Sequence, residues 1–284
     1  MPSGPRSICP VPTSSPCILL VHAHPDDEAS STGGIIARYA EAGVRVVLVT
    51  CTDGALGDSP DGLAPDHDDH DTSAVVAHRA VELDESCRIL GVSRLVRLGY
   101  HDSGMMGWPQ NDAPESFWQT PVPVAAARLA ALIDEEQPAV VITYDENGFY
   151  GHPDHIQANR ITRAALEMTA VHPRLYYATI PLSAFDRMGE IVRAAGIEVP
   201  EDLDDDGPPI GTPDDQIGAI VDVSAHTAAK RAALAAHASQ TESSFFLTLP
   251  EELFAEFFGS EWFVRVADPH ATEGVETDLL AGVL

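Results

Sequence analysis

The sequence predicts a Rossmann-like α/β fold, a mostly parallel sheet with helices on both faces, completed by a smaller mixed region at the C-terminal end. Two observations carry this. Over the first two thirds of the chain, short apolar runs alternate with stretches of helical periodicity, the pattern of strands buried between helices. The 284 residues, 44% of them hydrophobic, suffice for a substantial core.

Residues 17–23 (CILLVHA) form the first strand. Residues 30–42 are helical, with Ile35, Ile36 and Tyr39 on one face and Gly43 as the stop. Residues 44–50 (VRVVLVT) make the second strand, and residues 53–71, rich in Gly, Pro and Asp, a long loop. A helix over 73–90, a short strand over 95–98, a helix over 123–136 and a buried strand over 139–144 (AVVITY) follow. Pro153 opens a further helix, because proline is tolerated in the first turn and Ile156, Ile161 and Leu166 repeat at helical spacing. Residues 198–215 read as a polar insertion, 217–223 as a strand, and Ser224 as the cap of an alanine-rich helix reaching Ala238. Neither a repeat nor a clear linker divides the chain, so it reads as a single domain over 1–284. Residues 1–15 are expected to be a flexible leader, 16–180 the α/β core, and 181–284 the part that completes the fold.

The formal charge of −28, from 44 acidic against 16 basic residues, repels phosphate backbones and anionic bilayers, which argues against nucleic-acid and membrane partners. No apolar stretch approaches the roughly 20 residues that cross a bilayer, and the N-terminus lacks the apolar run of a secretory signal. Cys9, Cys17, Cys51 and Cys87 contain no Cys-x-x-Cys pair. Reduced thiols in a cytoplasm fit best.

The chemistry is concentrated in two segments. His22-Ala23-His24-Pro25-Asp26-Asp27-Glu28 falls where a strand ends, and ligands of open α/β sheets gather at the carboxyl ends of strands. Pro25 turns the chain, so His24 and Asp27 can fold back toward one point as an imidazole and a carboxylate ligand, both suited to zinc. Asp26 is left beside the metal with a free carboxylate, the position of a general base. Tyr150-Gly151-His152-Pro153-Asp154-His155 follows the strand AVVITY and brings two histidines and an aspartate to the same edge. A catalytic zinc takes three protein ligands and keeps one position open; His24, Asp27 and one of these two histidines supply them. Ferrous iron suits the same His₂-Asp set. By contrast, the run His67-Asp68-Asp69-His70-Asp71 reads as a solvated loop and His237 as a packing histidine.

Both segments are complete motifs, HAHPDDE and GHPDH. With TYDENGFYGHPDH, DSGMMG at 102–107 and KRAALAAHASQ at 230–240, the sequence resembles the PIG-L/LmbE-like family of zinc-dependent N-acetylglucosaminyl deacetylases. The resemblance implies zinc ligands His24, Asp27 and His155 and Asp26 as the base. It further implies that His152 carries charge near the scissile amide, oriented by Asp154, and that Tyr150 helps hold the oxyanion. Within the family the pattern is closest to the mycothiol-pathway group, which implies sugar contacts from Arg79 and Asp102, with Ser31 and Met105 beside them.

Ser31 stands where the mycothiol-conjugate amidases carry lysine, and DSGMMG resembles the N-acetylglucosaminyl-inositol deacetylases more than the amidases. The implied reaction is therefore removal of an N-acetyl group from a small amino-sugar conjugate, with a homo-oligomer compatible. Alternatives are a conjugate amidase, a deacylase of antibiotic glycoconjugates and a non-catalytic sugar-binding protein; an intact Asp26 argues against the last. The sequence departs from the family in carrying Gly54-Ala55 where a Gly-Glu pair is usual. Trp108, Phe117 and Trp118, within residues 99–123, add aromatic surface that could floor a sugar.

Overall fold

The computed structural model describes residues 15–194, 210–240, 246–267 and 274–282. Seven strands form one sheet: β1 (Cys17–His22), β2 (Arg45–Thr52), β3 (Arg94–Tyr100), β4 (Val140–Thr143), β5 (Arg174–Thr179), β6 (Ala219–Asp222) and β7 (Ser260–Ala267), in the order β3-β2-β1-β4-β5-β7-β6. The five strands from β3 to β5 are parallel, and β7 pairs antiparallel with both β5 and β6. Every residue of β1 is buried, as expected for a central strand covered on both faces. Its alternate residues serve opposite cores. Ile18 and Leu20 pack with α1 (Asp27–Glu41), α2 (Thr72–Leu90) and α7 (Thr227–Ala236), while Leu19 and Val21 pack with α3 (Val122–Glu136) and α5 (Pro153–Met168).

After β1 the chain builds outward through β2 and β3, then crosses back to lay β4 against the other side of β1. The switch point of the sheet therefore lies between β1 and β4, where an open α/β sheet leaves a crevice. Both histidine-rich segments leave the sheet there.

Three details differ from the sequence expectation. α1 begins at Asp27 rather than Ser30, because Asp26 supplies its carbonyl to Ala29 and Ser30 N–H at 3.0 Å each without any side-chain cap to signal the start. Ser224 does not cap α7: residues Ser224–His226 form a 3₁₀ turn, and the Ser224 carbonyl accepts from Thr227 Oγ1. Finally, β5, β7, α6 (Leu182–Ala194) and α8 (Glu251–Phe258) are not among the expected elements, although both helices are amphipathic. Between β4 and α5 lies a one-turn α4 (Gly148–Gly151). Most of the expected insertion, residues 198–209, and of the expected leader, residues 1–14, lies outside the described residues. No described helix is long and apolar enough to cross a membrane.

One buried ion pair ties the C-terminal part to the core. Lys230 Nζ lies 2.6 Å from Glu261 Oε1, both side chains inaccessible, and the Glu261 oxygens accept the Gly34 and Ile35 N–H of α1 at 2.8 Å each. Gly34 is required by this approach: a Cβ there would stand 2.5 Å from Val223. Replacing Lys230 by Met strands a buried carboxylate, so the unfolding free energy in urea should fall by about 3–5 kcal/mol. A loss below about 1 kcal/mol, the scale of an exposed pair, would contradict this assignment.

Candidate active site

The end of β1 is fixed first by groups that hold no ligand position. His22, fully buried, bonds Tyr144 Oη at 3.2 Å and Thr32 Oγ1 at 2.9 Å, and Tyr144 Oη also accepts the Ala23 N–H. Burial holds the His22 imidazole below its ordinary value. The Tyr144 ring then stacks on His155, with centroids 4.1 Å apart. Tyr144 and Thr32 thus set the first ligand turn and the second, a role that sequence reading missed.

His24, Asp27 and His155 converge. His24 Nδ1 lies 3.5 Å from Asp27 Oδ2 and 3.3 Å from His155 Nε2, which lies 3.5 Å from Asp27 Oδ1. Ligands bound at roughly 2.0–2.2 Å around a tetrahedral ion stand about 3.3–3.5 Å apart, so these three residues fit a metal. The other nitrogen of His24, Nε2, faces Asp154 Oδ2 at 3.2 Å and Asp102 Oδ1 at 3.7 Å, the carboxylate support that orients a metal-binding imidazole. Two groupings of ligand atoms share His24, one with His152 and His155 and one with Asp102 and Asp154.

Burial alone would lower the His24 pKa, but Asp102, Asp154 and Asp27 hold it well above the ordinary value. Asp27 lies well below the carboxylate range, because His155 and His24 outweigh its desolvation. Burial pushes His155 down to about 4.

Asp26 immediately precedes α1 at φ 117°, ψ −27°, a conformation that costs a non-glycine residue about 1–3 kcal/mol. Its Oδ2 accepts from Arg79 Nη2 at 2.9 Å. Burial raises the carboxyl to about 6, against the pull of the guanidinium. A carboxylate poised there can take a proton near neutrality and give it back.

His152 is the N-cap of α5, and its Nδ1 accepts the Asp154 N–H at 3.1 Å, which leaves the ring proton on Nε2. Burial, with His24 and His155 adding, pushes the imidazole down to about 2. Burial thus favours the neutral ring. The Asp154 carboxylate does not orient it. That carboxylate accepts from Ser103 N–H and Ser103 Oγ and faces His24; only the backbone of Asp154 meets His152. The side chain is drawn the other way because α5 starts at Pro153 and points its first turn at the loop after β3.

The turn before His152 is tight. A Cβ on Gly148 (φ 64°) would stand 2.7 Å from the Ile156 nitrogen, and Phe149 adopts φ 68°. Tyr150, 40% exposed, sets its ring edge-on to His155 at 5.1 Å and lies 6.1 Å from His152.

Two of the expected sugar contacts, Arg79 and Asp102, also hold the protein's own turns. Arg79 is buried and engaged, donating to Asp26 and to the carbonyls of Pro25 and Gly54. Asp102 is also buried, accepting from Gly104 and Leu56 N–H and facing His24. The His24 charge outweighs desolvation and holds it well below the carboxylate range. The hydrogen bonds of both side chains hold the 53–57 and 102–104 turns beside the cluster. Met105 is exposed, as are Met106 and Trp108, whereas Ser31 is half-buried on α1 and makes no hydrogen bond to the cluster. Of the three aromatics expected on the surface, Phe117 is core and stacks on Tyr100, and Trp118 is covered by Arg160. In the acidic histidine run, His70 bonds the Gly57 carbonyl and Asp71 caps α2.

Residues 19–166, which carry both ligand segments, match the family described as PIG-L, GlcNAc-PI de-N-acetylase. A relative from Acidothermus cellulolyticus named 1D-myo-inositol 2-acetamido-2-deoxy-alpha-D-glucopyranoside deacetylase is 44% identical, over 94% of each chain. Among solved structures, the zinc-inhibited form of teicoplanin deacetylase Orf2 is similar with a TM-score of 0.55 and 23% identity, over 90% of this chain and 100% of that one. GalB, the 4-carboxy-2-hydroxymuconate hydratase of Pseudomonas putida, is similar with a TM-score of 0.58 and 18% identity, over 91% and 99%. A deacetylase and a hydratase on one scaffold illustrate that the fold does not choose the reaction. The extent of the family match and the 44% identity across nearly the whole chain decide membership: this protein belongs to the PIG-L, GlcNAc-PI de-N-acetylase family.

Proposed function

We propose that the chain is a zinc-dependent N-deacetylase that hydrolyses the acetamide of an N-acetylglucosaminyl-inositol-type conjugate, releasing acetate and the free amine. The observation that carries this reading is the His24, Asp27 and His155 triangle with Asp26 beside it. The name of the Acidothermus relative supports the acceptor, and exposed Met105 and Trp108, which follow Asp102 and Ser103 in the chain, with exposed Tyr150 beside His155, offer apolar surface for a sugar face. The three described cysteines are buried free thiols, which favours a reducing compartment such as the cytoplasm.

Zinc held by the triangle supplies Lewis acidity, acidifying water and polarising the acyl carbonyl. Asp26 takes the proton of the attacking water, and Arg79 holds its carboxylate in place for that transfer. His152 donates its Nε2–H to the carbonyl oxygen as charge builds there, a neutral donor inside a water-poor pocket, with Tyr150 beside it. When the C–N bond breaks, Asp26 returns the proton to the departing nitrogen. Asp154 and Asp102 keep the His24 ring turned so that Nδ1 faces Asp27 and His155.

Acetate release from N-acetylglucosamine, its inositol glycoside, mycothiol conjugates and glycopeptides tests the acceptor. The inositol glycoside should give the highest kcat/KM, and a mycothiol conjugate in first place would replace this reading with the amidase. Asp26→Ala should keep its zinc yet turn over at least ~100-fold more slowly, whereas His155→Ala should lose zinc by elemental analysis. The pH profile gives a separate check. Since the base acts only when ionised, kcat/KM should fall on the acid side as Asp26 is protonated. Arg79→Gln removes a charge that favours the ionised form, so that acid limb should move to higher pH; an unmoved or lowered limb would remove Arg79 from this role.

A further inference from the structure

Among the described non-glycine residues, φ is positive only at Asp26, Gln137 and Phe149. Gln137 is an ordinary left-handed stop after α3. Asp26 lies outside that well, so its backbone needs a partner strong enough to keep it there. Its N–H donates to Glu28 Oε2 at 3.0 Å, two residues ahead. Glu28 is wholly inaccessible, and its second oxygen, Oε1, accepts from Ser86 Oγ of α2 and meets His237 Nε2 at 2.8 Å. His237 is also buried and directly follows α7, 209 positions away in sequence. It is anchored independently: Ser239 donates through its backbone and hydroxyl to Glu82 of α2, and Gln240 donates to the Asp58 carbonyl.

We propose that Glu28 and His237 are positioning residues for the base: Glu28 holds the Asp26 peptide in its left-handed turn, and His237 fixes and partners the Glu28 carboxylate from the C-terminal part of the chain. This rests on the reading of Asp26 as the base. Neither side chain hydrogen-bonds His24, Asp27 or His155, and because Glu28 follows Asp27 in the chain, zinc content is read beside turnover. An unpartnered buried carboxylate would relax toward other donors and release the strained peptide.

The test uses the zinc-loaded full chain and deacetylation of N-acetylglucosaminyl-inositol. His237→Leu should lower kcat by about 10-fold or more, the scale for outer partners of a metal site. KM should stay within about twofold and zinc content should be full. His237→Gln, whose amide can still donate to Oε1, should recover most of the loss. In an Asp26→Ala background, His237→Leu should cost no further turnover, because the group it positions is gone. Glu28→Gln, which cannot accept at both ends, should behave as His237→Leu does and serves if the leucine variant does not fold. Parent-like kcat in both variants, a parallel loss of zinc or of KM, or an additional loss in the Asp26→Ala background would each overturn the proposal. Parent-like turnover in Asp26→Ala alone would instead sink the base reading, leaving the two failures distinguishable.

Discussion

Burying carboxylates and imidazoles at one sheet edge is tolerable only if each finds a partner, since an uncompensated buried charge costs several kcal/mol. That constraint organises this protein. Asp27 lies between His24 and His155, Asp154 between Ser103 and His24, Glu28 among the Asp26 N–H, Ser86 and His237, and Arg79 against Asp26 and two carbonyls. The packing of α1, α2 and α7 over one face of the sheet is therefore tied to the geometry of the site.

The parallel sheet contributes the place. Both ligand turns leave neighbouring strands, β1 and β4, on either side of the switch point, and each runs into a helix whose first turn carries its carboxylate, Asp27 in α1 and Asp154 in α5. The unpaired N–H groups and positive dipole end of a helix favour an anion there. The same turns leave His24 and His152 just outside the helices, free to face the crevice. Two non-glycine positions with positive φ, Asp26 and Phe149, lie on these turns, which is where strain is retained when a site over-determines its backbone.

The C-terminal part does more than extend the sheet. Glu261 of β7 reaches into α1 and pairs with Lys230, and the segment after α7 reaches Glu28 and Glu82. The helix that begins at Asp27 is thus held from residues more than 200 positions away. The residues that could hold a metal lie between positions 24 and 155, and their surroundings are held by residues 230–261.

The sequence by itself determined the elements and the chemistry that neighbours in the chain specify. The apolar runs, the proline after His24, the helix opening at Pro153 and the two histidine-rich turns were legible because strand and helix periods and turn preferences are local properties. The later strands and helices were less legible, as β5 and β7 are short mixed runs whose burial depends on each other. Within the site, the candidate ligand residues are named by their two motifs, but the partners are not. Asp154 turns to His24 rather than His152, Arg79 and Asp102 bond the 53–57 turn, burial disfavours a charge on His152, and His237 belongs to Glu28. Each depends on which distant side chain shares a buried space and on how far that space excludes water, and only the tertiary structure decides that.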